Sequence, residues 1–171
     1  MGRQEPWRHW GAYALALLPL LLLEALLFWR IPFPLAHPFL LPFAIAMVAS
    51  REGICAGAGY GLFVGLCAML LGHGSSMLFL CSLVGCVIAL LFARGLQQGF
   101  WGSFLGGMAA LLLLSLLRML TLALFRGLPF LALCSIAFPE FFWSLPFFPL
   151  VYGIYLLPAR RTHYCKGGLA V

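Results

Sequence analysis

The chain has 171 residues, of which 64% are apolar or aromatic and only 8% are charged. A soluble domain carries about 25% charged residues, so too few polar side chains remain here to cover a water-facing surface, and an ordinary soluble domain is excluded. The net charge of +6 falls at predicted helix ends, where it reads as a topology signal and a contact for anionic headgroups rather than as a nucleic-acid surface.

The first apolar run, about 10–29, follows Arg3 and Arg8 and contains Pro19. It is longer than a signal-peptide core and lacks a small-x-small cleavage site, so it is expected to stay as a first span. Ile31-Pro32-Phe33-Pro34 breaks it, because proline has no amide donor and disfavours helix in the residue before it. A short second span, about 35–50, ends at Arg51-Glu52, and a third covers about 53–71 before the turn Gly72-His73-Gly74-Ser75. The fourth and fifth are placed at about 76–93 and 100–125, with Arg94 to Gly99 between them. After Arg126-Gly127-Leu128-Pro129 comes an apolar stretch to Phe138 that is expected either at the interface or re-entering. A sixth span, about 139–157, then leads to a polar tail, 158–171. The expected fold is an all-α integral membrane protein, one domain over 1–171 built as a bundle of about six transmembrane helices.

Six spans put both termini on one side. That side holds Arg3, Arg8, Arg51, Arg94, Arg160, Arg161 and Lys166, against Arg30 and Arg126 on the other, which predicts cytoplasmic termini.

Two patterns stand out within the spans. Gly53, Gly57, Gly61 and Gly65 recur every four residues and share one helical face, and Gly102 and Gly106 repeat the spacing in the fifth span. Glycine ridges let helix backbones approach closely. They serve either packing within the bundle, with Cys81, Gly85 and Ala89 of the fourth span as a facing surface, or docking of a partner's membrane helix. The second pattern is charge at depth: Glu24, Arg118 and Glu140 fall in the outer half under the predicted topology. Buried charges pair or face a wet cavity, so Arg118 is expected to pair with Glu24, Glu140 or both; the alternative is that Arg118 and Glu24 snorkel outward.

Chemistry is poorly supplied. There is no Asp and no Asn, and Lys occurs once. His73 and Ser75-Ser76 lack an acid to orient them, and His9, His37, His73 and His163 are scattered. The cysteines show no metal spacing, and most sit in apolar spans as small hydrophobes. No catalytic residue, metal or cofactor is expected.

Several stretches together resemble the family of the rod shape-determining protein MreD. Arg51-Glu52-Gly53 leads into Gly57-Ala58-Gly59-Tyr60-Gly61-Leu62-Phe63-Val64-Gly65-Leu66, similar to that family's Gly-x-x-x-Gly-Phe-x-x-Gly-Leu-x-x-Asp segment. Phe138-Pro139-Glu140-Phe141-Phe142-Trp143-Ser144 resembles its Pro-Glu opening to the last span, and Arg160-Arg161 its basic close. The chain departs where the family often has the Asp, since Met69 stands there, and no role of that acid is carried over. The resemblance implies a non-catalytic scaffold of the bacterial cell-elongation complex in the cytoplasmic membrane. Its implied partners are an MreC-like single-span protein, the elongation peptidoglycan synthases and cytoskeletal components. The competing reading is the substrate-binding S-component of an energy-coupling-factor vitamin transporter, a six-helix bundle of similar architecture. Such a pocket needs convergent polar groups, and the Glu24, Arg118 and Glu140 cluster is the feature that favours it.

Overall fold

Apolar runs punctuated by proline, glycine and arginine become helices. The computed structural model describes residues 6–30, 38–71, 76–95, 99–127 and 129–156. Among them every regular element is helical: α1 (Pro6–Arg30), α2 (Leu41–Glu52), α3 (Ile54–Leu70), α4 (Met77–Ala93), α5 (Phe100–Arg126) and α6 (Phe130–Ser144). A 3-10 turn, Leu145–Phe147, joins α6 to a last helical segment, 148–156. Phe100–Phe125 and Leu131–Leu156 are long and apolar enough to cross a membrane, and α1, α3 and α4 contain shorter apolar helices.

The shortest of the six, α2, lies at the centre. Its 12 residues span about 18 Å, and Leu41 through Ser50 are all buried. A helix that is apolar on every side is covered either by protein or by lipid, and α3, α4 and α5 enclose this one. Room for its Phe43 ring comes from Gly107 of α5, where a Cβ would lie 2.6 Å from that ring. Phe148 then meets Phe43 edge-on, with centroids 5.4 Å apart.

Two expected boundaries differ. The second span was placed from 35, whereas the helix starts at Leu41 with Pro42 in its first turn, a position where the missing amide costs nothing. Residues 38–40 are non-helical yet buried, and the Phe39 amide donates to Ser144 Oγ at 2.8 Å. At the other end, Pro139 was read as opening the last span, but it sits inside α6, which begins at Phe130. Proline removes one backbone hydrogen bond, and helices in apolar surroundings tolerate that because unwinding would leave more groups unpaired. Residues 31–37, the turn at 72–75 and the tail from 157 lie outside the described residues.

Candidate functional site

The glycine ladder is used inside the bundle. A Cβ on Gly57 would lie 2.9 Å from Ala49 Cβ and from the Gly85 carbonyl oxygen. One on Gly61 would lie 2.8 Å from Ser82 Cα, and one on Gly65 would lie 2.7 Å from Leu78 Cα. Side-chain hydrogens thus leave room for the α4 backbone itself; Cys81 and Gly85 of the expected facing surface lie against the ladder, together with Leu78 and Ser82, whereas Ala89 meets none of its glycines. Of the two roles open to the ladder, the structure assigns packing within the chain.

Gly53 does not belong to the ladder. It is exposed, nothing lies within 4 Å of where its Cβ would be, and its φ of 88° is the left-handed geometry that turns α2 into α3. Its four-residue spacing was coincidental with a helix break. In α5, Gly106 receives the Phe92 ring of α4, 2.5 Å from a built Cβ, whereas Gly102 is half-buried.

The charged trio resolves into a pair and a solitary acid. Arg118 Nη1 donates to Glu140 Oε1 at 3.3 Å, with the arginine side chain 35% exposed. Glu24 is 0% exposed, and neither of its carboxylate oxygens has a hydrogen-bond partner. The Leu40 amide lies near it without completing a hydrogen bond, and Glu140 and Cys81 are close enough to interact electrostatically. Below the pair, Ser144 donates to the Glu140 carbonyl at 2.6 Å while accepting from Phe39.

Sequence reasoning missed a second polar cluster, at the opposite end of α1. Tyr60 of α3 and Tyr155 of the last segment bring their hydroxyls to 2.5 Å, and the Tyr60 hydroxyl also donates to the Tyr13 carbonyl at 3.4 Å. Tyr13 in turn donates to Glu52 Oε1 at 3.1 Å. All three tyrosines are buried. A buried phenol needs a partner for its hydroxyl, and these sit at corresponding ends of the first, third and last spans. That coincidence was the available signal, obscured by treating Glu52 only as a loop charge.

Beside Tyr60 an open groove of about 800 Å³ runs between α1 and α3. Small residues wall it, Gly11 and Ala14 from α1 and Ala56 and Gly59 from α3, with Trp10 and Phe63 also lining it. Nothing lies within 4 Å of a Cβ built on Gly11 or Gly59.

Among the described residues no three His, Cys, Asp or Glu side chains converge as a metal site would require. His37, His73 and Ser75 lie outside the described residues. Compared with protein-family models, with curated proteins and with solved structures, the chain matches none.

Proposed function

We propose that this chain is a non-catalytic membrane scaffold of the MreD type, supporting peptidoglycan synthesis and cell shape in the bacterial cytoplasmic membrane through helix–helix contacts. The observation that carries the reading is the groove between α1 and α3. Its glycines have no neighbour where a side chain would be, while the glycine ladder on the other face of α3 is already occupied. Small-walled grooves admit a helix at close range, and the partner implied by the resemblance crosses the membrane once. An outer surface rich in exposed Leu, Phe and Met on α3, α5 and α6 suits lipid, and the arginine bias suits cytoplasmic termini.

Depletion in a rod-shaped host followed by microscopy tests the role: rods should become round, and unchanged cell shape would remove the scaffold reading. Gly59→Leu, which fills the groove, should abolish co-purification with an MreC-like single-span protein while leaving the purified chain folded. Retained co-purification would place the contact elsewhere.

The transporter S-component is the second reading, favoured by the enclosed, unpartnered Glu24 beside Glu140. Mass spectrometry of the gently purified chain decides it: a stoichiometric vitamin would establish a ligand pocket, and its absence with an adjacent coiled-coil partner gene would favour the scaffold.

A further inference from the structure

Among the described residues Glu24 is the side chain whose buried polar atoms make no hydrogen bond. An ionised carboxylate enclosed without a partner is among the costliest groups to bury. Four elements supply the polar groups around it. The segment before α2 brings the Leu40 amide, α4 brings the Cys81 thiol and α6 brings the Glu140 carboxylate. From α5, Arg118 acts at one remove, through Glu140. Among the described residues, Glu24 and Glu140 contribute two negatives to the cluster and Arg118 one positive, which leaves one positive charge unsupplied.

What supplies that charge is decided by space and ligand number. Glu24 is 0% exposed, which leaves no path for a hydrated ion. Hard divalent ions take about six or more oxygens, whereas the neighbours here offer one further carboxylate, already held by Arg118. A proton needs neither room nor a ligand shell.

The geometry points to Glu24 as an intramembrane proton-binding site, whose occupancy determines whether Arg118 belongs to Glu140 alone. With the proton bound to a Glu24 oxygen, the acid is neutral and the Arg118–Glu140 pair balances itself. When the proton leaves, two carboxylates compete for one guanidinium. Arg118 is held to Glu140 by a single 3.3 Å contact and is 35% exposed. The contact between α5 and α6 therefore responds to proton loss at α1. This holds whether or not the chain is a scaffold.

The test uses the full chain reconstituted in liposomes. Infrared difference spectra at neutral pH should show the C=O stretch of a carboxylic acid. That band should vanish in Glu24→Gln, which keeps the shape and neutrality of the protonated acid and so should fold. Above the titration midpoint, the band should fall about tenfold per pH unit. In Arg118→Gln that midpoint should move to higher pH, because removing a positive charge from the cluster favours the protonated acid. A carbonyl band identical in Glu24→Gln would overturn the proton site. A midpoint that ignores Arg118→Gln would overturn its link to the ion pair.

Discussion

Gly61→Ala, compared with Gly59→Ala, isolates what the glycine ladder contributes. The two glycines are two residues apart on α3, yet Gly61 faces α4 and Gly59 faces the groove. Carbon atoms in contact settle at about 3.5–4.0 Å, whereas a Cβ on Gly61 would sit 2.8 Å from both the Cys81 carbonyl carbon and Ser82 Cα. These are backbone atoms, so no rotamer change relieves the clash and the helices must separate by about 1 Å. Overpacking of that kind costs about 1–3 kcal/mol. On Gly59 the new methyl meets nothing within 4 Å, and alanine in place of glycine inside a helix gains about 1 kcal/mol. That propensity gain applies at both positions and cancels in the comparison. The difference between the variants, about 1–3 kcal/mol with Gly61→Ala the less stable, therefore reports the contact alone. Equilibrium unfolding of both variants in the same detergent measures it. Equal stabilities would refute the close approach of α3 to α4 and return the ladder to the surface.

Ser144→Ala should destabilise by about 0.5–1.5 kcal/mol, because it removes the hydrogen bond that the buried Phe39 amide donates to Ser144 Oγ; a thermal-shift comparison with wild type checks it, and no change would mean the segment before α2 is held otherwise. Tyr60→Phe should cost about 1 kcal/mol or more by leaving the Tyr155 hydroxyl without its partner, and Tyr60→Phe with Tyr155→Phe should cost less than the sum of the single changes; strict additivity would break the proposed hydroxyl pair. Combining Arg118→Glu with Glu140→Arg should recover about 0.5–1 kcal/mol relative to the single reversals, a modest figure because Arg118 is partly exposed and screened, while Arg118→Glu with Glu24→Arg should recover none; rescue by the second swap instead of the first would reassign the pair.

Helix positions were legible because the sequence punctuates them with residues whose backbone chemistry is unambiguous. Gly53, Arg94 and Gly127 stand at helix ends in the structure, and Gly127 adopts a φ of 61° beyond α5. The four-residue glycine period located a close-packed face, but period alone does not tell which neighbour fills it, since that depends on how α4 returns. Gly53 shows the limit: it fits the period and still serves a turn. The burial of α2 was half visible in its shortness, whereas its central position arises from α3, α4 and α5 meeting around it. Glu24 and Glu140 were both plausible partners for Arg118 by depth, and the choice between them rests on rotation about α1, which an almost uniformly apolar helix does not encode.

The two polar clusters also explain why one acid stands out. Along α1, Tyr13 and Glu24 are eleven residues apart, about 16 Å of helix, with buried Leu17 and Leu20 between them. Tyr13, Tyr60, Tyr155 and Glu24 are all buried, so the polar groups of each layer must find their partners within the bundle. The tyrosine layer does so through the Tyr60–Tyr155 and Tyr13–Glu52 contacts. The other layer pairs Arg118 with Glu140 and Ser144 with Phe39 but leaves Glu24 over. A buried polar group without a hydrogen bond costs about 1–3 kcal/mol by mutational measures, so Glu24→Leu should stabilise the isolated chain by that order in detergent unfolding. A loss of stability instead would mean that Glu24 makes a favourable contact, and the proton site argued from its isolation would fall with it.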